Sequence, residues 1–327
     1  MNIESTKQPP PNVFPKTPKV AIVVPCFNEE QVLPETTRQL ESLIRRLISE
    51  GLIAESSYIC YVDDGSRDRT WAIIENLVGI NELVRGIKLS RNSGHQNALI
   101  AGLFSAEGDV LISVDADLQD DLDAIREMVI KYHAGADIVL GVRKERSTDT
   151  FIKRFTAESY YKLLDMMGVE VVFNHADYRL MSRNAIESLR NFKEVNLFLR
   201  GIIPLIGYRV DMVMYDRKER FAGESKYPLS KMLALAWQGI TSFSALPLRI
   251  ITWLGIAISL VSLGVTLWVL NIRFFTNEAI PGWASTVLPI YFLGGLQFFC
   301  IGIIGEYIAK IYMETKRRPR YFVEKVL

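Results

Sequence analysis

Cysteine and histidine are scarce, with three of each in 327 residues. Cys26, Cys60 and Cys300 are odd in number and irregular in spacing, which argues against a disulfide framework or a zinc cluster and fits a reducing compartment. His133 and His175 have no neighbouring His or Cys ligands and read as ordinary surface or core residues. Excess charge of one sign is also missing. A formal net charge of +1 leaves no domain-wide basic surplus, so nucleic acid is not the expected main partner. Neither G-x-G-x-x-G nor G-x-x-x-x-G-K-[ST] occurs, so any nucleotide must be held in another way. No apolar leader opens the chain; residues 1–18 are polar and proline-rich, and a disordered tail is expected there.

What the sequence does contain is a regular alternation. Short apolar runs at residues 19–24 (KVAIVV), 58–62, 84–89 and 110–114 read as strands. Helix patterns at about 31–49, 71–78 and 96–106 separate them. That order predicts βαβ units and a mostly parallel sheet. Ligands of such sheets sit beyond the carboxyl ends of the strands. The clusters PCFNEE, DDGSRDRT and DADLQDD each follow a strand, so all three are expected to line one crevice.

The run ending in Asp115-Ala116-Asp117 delivers two carboxylates one residue apart where a buried strand breaks. Hard oxygen ligands of this kind suit Mg²⁺ or Mn²⁺ shared with substrate phosphates. An ordinary acidic strand-to-loop turn is the plainer alternative. Asp63 and Asp64 could accept from a base N–H and from ribose hydroxyls; equally, Asp64-Gly65-Ser66 could be a turn capping the next helix, with Thr70 assisting. His95 follows Ser93-Gly94 where a helix begins. Ser93 reads as the cap of that helix, and phosphate contact at its N-terminus is the alternative.

These motifs in this order, PCFNEE, DDGSRDRT, RNSGHQNALIAGL and DADLQDD, resemble the family 2 glycosyltransferases of GT-A fold. More narrowly they resemble the polyprenyl-phosphate hexosyltransferases, the dolichyl-phosphate mannose synthases and bactoprenol glucosyltransferases. The likeness continues through Asp177-Tyr178-Arg179-Leu180, the R-F-A-G-E-S-K segment at 220–226 and two C-terminal hydrophobic segments. It implies a GT-A nucleotide-sugar-binding α/β domain followed by interfacial helices and two transmembrane helices. By the same resemblance Pro25, Phe27, Asn28, Glu29 and Asp63, with Asp64, Asp115 and Ala116, should surround the nucleotide sugar. Asp115, Asp117 and Gln119 should hold the Mg²⁺ or Mn²⁺ and the diphosphate, with Asp117 and Asp177 as catalytic candidates. The residues alone would not single out Gln119, which also reads as a helix-start residue.

On the acceptor side, 151–167 is a basic, aromatic helix pattern that could lie on a membrane surface or pack on the domain. Arg217, Arg220 and Lys226 form a charge cluster just before the hydrophobic region. The resemblance assigns Arg220, Ser225 and Lys226, and with them Arg143, Arg154 and Arg217, to a lipid phosphate. Asp177 is an acceptor-side base, an arginine partner, or a residue that orients the acceptor. A phosphomonoester has a second pKa of about 6 and needs a base less than an alcohol does.

Residues 250–270 carry no charge over a length sufficient to cross about 30 Å of hydrocarbon, and 283–305 form a second such run. Arg249 precedes the first; Lys310, Lys316, Arg317, Arg318 and Arg320 follow the second, which predicts both ends on the cytoplasmic side. The expected organisation is a tail at 1–18, a GT-A catalytic domain at 19–228, an interfacial amphipathic helix at 229–247, a two-span hairpin at 248–310 and a basic tail at 311–327. The expected activity is inverting transfer of a hexose, with UDP-glucose as donor, to polyprenyl phosphate at the cytoplasmic face of a bacterial inner membrane. A homo-oligomer is left open. The rivals are a membrane polysaccharide synthase of the same fold, whose Q-x-x-R-W segment is missing here, and an inactive membrane adaptor, at odds with an intact acid pair.

Overall fold

A computed structural model describes residues 15–143, 175–194, 199–216, 246–275 and 283–327. The basic helix expected at 151–167, most of the interfacial helix expected at 229–247, and Arg154, Arg217, Arg220, Ser225 and Lys226 lie outside the described residues. The chain divides into two compact units. The first takes in residues 1–158, 170–226 and 319–327, the second residues 159–169 and 227–318.

The first unit is built on one eight-stranded sheet. Its first four strands are β1 (Val20–Cys26), β2 (Tyr58–Asp63), β3 (Val84–Leu89) and β4 (Val110–Ser113). They are joined by α1 (Leu33–Ser49), α2 (Thr70–Ile80) and α3 (His95–Ser105), as the alternation predicts. Then follow α4 (Asp123–His133), β5 (Ile138–Arg143), β6 (His175–Ser182), α5 (Arg183–Leu189), α6 (Leu199–Leu205) and β7 (Val210–Tyr215). The last strand, β8 (Val323–Val326), comes from the end of the chain. The strands stand side by side as β7-β5-β6-β4-β1-β2-β3-β8. Pairs β1/β2, β1/β4, β2/β3 and β5/β7 are parallel; β6 and β8 run against their neighbours. The result is the α/β class with a mostly parallel sheet.

Burial explains the strand sequences. Every residue of β1 and β4 is buried, as expected of central strands covered on both faces, so these runs are continuously apolar rather than alternating. Helix α1 instead shows one buried stripe, Leu33, Thr36, Thr37, Leu40, Leu43, Ile44 and Leu47, with Glu35–Arg38 and Glu41–Arg45 ion pairs on its wet side. Helix α3 lies so close to β1 and β2 that a methyl group at Gly102 would stand 2.3 Å from Val23 Cγ1 and 2.7 Å from Val62 Cγ2.

The second unit contains α7 (Leu246–Phe275) and α8 (Trp283–Lys316). Two membrane spans are expected from the sequence. Among the described residues one candidate passes on length and composition: Leu296–Lys316 of α8, 21 residues with a mean hydropathy of 1.3. It lies toward the C-terminus of the expected run and includes Glu306 and Lys310. Beyond it, part of the expected basic tail is strand β8, which closes the sheet edge on β3. Lys88–Glu324 and Lys325–Glu75 ion pairs, each 2.8 Å, flank that pairing.

Two turn readings need correction. Ser93 does not cap α3: Gly94 is the N-cap, with φ of 92° and no side-chain cap, while the Ser93 hydroxyl donates to the Arg91 carbonyl. Nor does Asp64 cap the helix that follows it. Its two oxygens accept the backbone N–H groups of Ser93 at 2.7 Å and Gly94 at 2.9 Å, thirty residues on. Asp64 thereby ties the end of β2 to the start of α3. Gly65, at φ of 67°, makes the close approach possible, because a Cβ there would meet the Arg91–Asn92 backbone at 2.6 Å. Hydrogen bonds to a buried charge contribute roughly 1.5–3 kcal/mol each. Asp64→Ala is therefore expected to lower unfolding free energy by about 2–4 kcal/mol, with Asp64→Asn losing about half as much. Chemical denaturation of the purified chain measures this; a loss below about 0.5 kcal/mol for the alanine variant would refute the bridging role.

Candidate functional site

The three acidic clusters leave the carboxyl ends of β1, β2 and β4, which are parallel neighbours, so they meet along one edge. Residues 26–30 and 63–70 are stitched together by side chains. The Asn28 N–H donates to Ser66 Oγ at 3.0 Å, and Asn28 Oδ1 accepts from the Arg67 N–H at 2.9 Å. The Glu29 N–H donates to Thr70 Oγ1, and the Glu30 N–H to Asp68. Asn28 holds φ of 58°, one of the few side chains that tolerates this region. Pro25 stays within β1, while Phe27 projects with 41% of its surface exposed.

Asp63 sits at the floor of this pair of loops, fully buried. Its Oδ1 accepts the Ser66 N–H at 3.3 Å, whereas Oδ2 has no partner. Burial pushes its carboxyl above the usual range. An unpaired buried acceptor is costly, and a donor group on a bound molecule would relieve it. Asp64, with both oxygens engaged by backbone, plays a different part from its neighbour.

Beyond β4 the chain turns through Asp115, Ala116, Asp117, Leu118 and Gln119. The strand ends at Ser113, two residues before the first acid. Ala116 is buried and its carbonyl accepts the Thr36 hydroxyl at 2.7 Å, so the loop is pinned to α1. Leu118 is held at φ of 58°, and Asp117 Oδ1 accepts the Gln119 N–H at 3.2 Å. Burial raises the Asp115 carboxyl to about 6, the neighbouring acids Asp120, Asp177 and Asp117 adding to the effect and His95 opposing it. His95 Nε2 stands 3.5 Å from Asp115 Oδ1. Among the described residues no group of three His, Cys, Asp or Glu side chains is arranged to hold an ion by itself. Asp115, Asp117 and the Gln119 amide are nevertheless all hard oxygen donors, in a place where carboxylates crowd one another. That donor set fits Mg²⁺ or Mn²⁺ completed by ligand oxygens.

Two groups of partners near this loop are set by long-range pairing. Buried Asp120 accepts the Tyr215 hydroxyl at 2.6 Å and lies 3.5 Å from Arg143 Nη2, while Arg143 Nε donates to Tyr215 at 3.1 Å. Arg143, expected at a lipid phosphate, is thus fixed within a triad at the ends of β5 and β7. Asp177 is placed by sheet register. Antiparallel β6 pairs Arg179 with Ser113, and continuing that register brings Asp177 opposite Asp115. The Ser113 hydroxyl donates to the Asp177 carbonyl at 2.6 Å. The Asp177 carboxylate accepts from Arg179, and from Arg200 of α6 at 3.4 and 3.2 Å. Despite its burial, the two guanidiniums and His95 hold its carboxyl well below the usual range. Of the roles open to Asp177 from sequence, these contacts are those of an arginine partner. Arg200 carries no signal in the sequence, since only the fold carries it to Asp177.

A profile described as glycosyl transferase family 2 matches residues 21–190. The uncharacterized glycosyltransferase YkoT of Bacillus subtilis is 52% identical over 94% of this chain and 91% of its own length. The prophage bactoprenol glucosyl transferase homolog of Escherichia coli K12 is 40% identical over 94% of this chain and 99% of its own. The bactoprenol glucosyl transferase of Shigella phage SfX is 40% identical with the same coverage, 94% and 99%. Among solved structures, the mannosyltransferase PcManGT of Pyrobaculum calidifontis, in complex with GDP-Man and Mn²⁺, superimposes with a TM-score of 0.47 at 16% identity, covering 92% of this chain and 91% of that one. With the profile spanning over half the chain and relatives of this identity along nearly all of it, the protein belongs to glycosyl transferase family 2, as an enzyme of the transferase class in the group that includes the bactoprenol glucosyl transferases.

Proposed function

We propose that this glycosyltransferase moves one hexose from a nucleotide sugar to the phosphate of a polyprenyl phosphate at the cytoplasmic face of a membrane, inverting the anomeric carbon, with UDP-glucose as donor. The observation that carries the reading is the meeting, on one sheet edge, of the Asp115–Asp117 turn with Asp177 and its two arginines. Carboxylates there suit a metal-bound diphosphate; guanidiniums suit phosphoryl oxygens. The names of the relatives at 40% identity, bactoprenol glucosyl transferases, favour a lipid carrier and glucose.

In this reading Asp63 accepts from the nucleoside between loops 26–30 and 63–70, and Phe27 offers its exposed ring beside it. Pro25, Asn28 and Glu29 shape that wall, and Asp64 keeps the α3 end of it in place. Asp115, Asp117 and Gln119 would hold the divalent cation, which when bound offsets the charge growing on the leaving nucleoside diphosphate. An acceptor phosphate oxygen forms the new bond to the anomeric carbon from the face opposite the diphosphate. The old C–O bond breaks with its electron pair leaving on the nucleoside diphosphate. Holding the two groups in line supplies much of the remaining advantage. The acceptor arrives largely ionised at neutral pH, its second pKa being about 6, so no proton has to be removed. Asp177, ion-paired and held low, is given no proton-transfer step.

Arg143 and, outside the described residues, Arg154, Arg217, Arg220, Ser225 and Lys226 are assigned to the lipid phosphate. Residues 250–270 within α7 and the apolar stretch of α8 serve as two spans, with the flanking cations keeping both termini cytoplasmic.

Incubation with UDP-glucose, a short-chain polyprenyl phosphate and Mn²⁺ is expected to yield UDP and the glucosylated lipid phosphate. Transfer to a soluble sugar but not to the lipid would replace this reading with polysaccharide synthesis. Asp117→Ala is expected to lower kcat by about a hundredfold or more while leaving the unfolding transition in place. Activity within twofold of the unaltered enzyme would remove Asp117 from the metal site.

A further inference from the structure

Glu324 of β8, at the end of the chain, accepts from Lys88 of β3 at 2.8 Å across 236 residues of sequence. Lys88 is also the sheet neighbour of Asp63. Parallel β2 and β3 set these two residues side by side, so both side chains leave the same face. Glu324 chiefly, then Asp63 and Glu75, favour the charged Lys88 ammonium against its partial desolvation. Burial, the larger influence on Asp63, raises its carboxyl, and the Lys88 charge opposes it. Lys88 nevertheless makes no bond to Asp63, whose Oδ2 stays buried with no hydrogen-bond partner among the described residues. The third acid, Glu75, is engaged by Lys325 at 2.8 Å, and Lys88 Nζ lies 5.9 Å from the centroid of the Trp71 ring. A partly exposed ion pair such as Lys88–Glu324 contributes only about 0–1 kcal/mol. A buried carboxylate short of partners, within reach of a flexible lysine stem, is a close competitor for the same ammonium.

We propose that Glu324 keeps Lys88 off Asp63 and so leaves Asp63 Oδ2 open to an N–H of the donor's nucleobase. Glu324 acts through Lys88 and is a positioning residue. The inference deepens the transfer reading above and rests on it for Asp63 as the acceptor of the nucleoside. With Glu324 neutralised, the Lys88 ammonium swings to Asp63 and pairs with the buried carboxylate. A nucleobase then has to displace a cation before its N–H can bond. Donor affinity falls by the fraction of molecules in which that pair is open. The last strand of the sheet thereby sets the affinity of a site built from its second strand.

The test measures binding of UDP and of GDP, each with Mn²⁺, to the full chain in detergent, the tighter of the two serving as probe throughout. Glu324→Ala is expected to weaken the probe by about threefold to tenfold, and Lys88→Met added to it should restore the affinity to within twofold. Lys325→Met removes the other ion pair of β8 and should leave the affinity within twofold. An affinity unchanged in Glu324→Ala overturns the proposal. So does a loss that Lys88→Met fails to repair, or an equal loss in Lys325→Met, since either assigns the effect to the docking of β8. Should Glu324→Ala fail to fold, Glu324→Gln, which keeps the size and removes the charge, decides by the same affinities. Asp63→Asn separates the two layers of the argument. If it leaves probe binding within twofold, Asp63 is not the nucleoside's acceptor, and the donor reading falls together with the proposal. If it weakens the probe while Glu324→Ala does not, the proposal alone falls. An unaltered enzyme that binds neither nucleotide overturns both, whereas one that binds but transfers nothing overturns only the function.

Discussion

Carboxylates crowded at one edge of a buried sheet are the constraint around which this molecule is arranged. Parallel strands direct their carboxyl ends to one side, and here β1, β2 and β4 each end in acidic sequence. Burying a charge is costly unless it is compensated, so each acid has been given an answer. Asp64 receives two backbone N–H groups, Asp120 a tyrosine hydroxyl and an arginine, and Asp177 two arginines. What remains under-compensated is specific: one oxygen of Asp63, and the Asp115 carboxyl raised by burial and by its acidic neighbours. Those are the positions at which a nucleoside donor and a cation would complete the structure. In the proposed reading the acids with full partners are the frame, and the others face the ligand.

How much of this was legible beforehand follows from the range of the interactions. The strands at 19–24, 58–62 and 84–89 and the helices between them depend on local burial patterns, and they appear within a few residues of expectation. The clustering of three strand-end motifs follows from parallel topology, so it could be argued without coordinates. A turn next to a helix suggests a local cap at Asp64, one of the two readings open from sequence, whereas its partners lie thirty residues away. Ser93 reads as a cap from its place before a helix, but glycine at φ of 92° already makes the turn before α3. Nothing in local sequence announces that β6 would insert antiparallel between β4 and β5, and without that pairing Asp177 and Arg179 have no assigned neighbour. Arg200 and Tyr215 are further cases: their roles exist only after long-range pairing brings them in. β8 was hidden for a similar reason, since a basic C-terminal segment with alternating Val and charge looks like a tail until β3 offers it an edge.

The end of the chain has its own consequence. Residues 319–327 return to the first unit, whose sheet edge β8 completes, so the helices α7 and α8 lie in a segment whose two flanks both belong to that unit. The Gly86–Leu327 backbone pair and the two ion pairs of β8 hold that strand on β3 and protect the edge from stray pairing.

The chemistry of the proposed phosphate acceptor bears on why Asp177 is held by arginines instead of standing free as a base. An alcohol acceptor must lose a proton as it attacks, so a carboxylate poised near neutral pH would be useful there. A phosphate monoester is already anionic, and its difficulty is the opposite one: it must approach a diphosphate and a set of carboxylates that all repel it. For the phosphate acceptor proposed above, cations beside it would lower that repulsion without titrating, because guanidinium stays charged at any working pH. A carboxylate pinned between two such groups, as Asp177 is, works as their scaffold. The same residue in a site lacking Arg179 and Arg200 would be free to take a proton, so the change from base to scaffold lies in its neighbours and not in the aspartate itself.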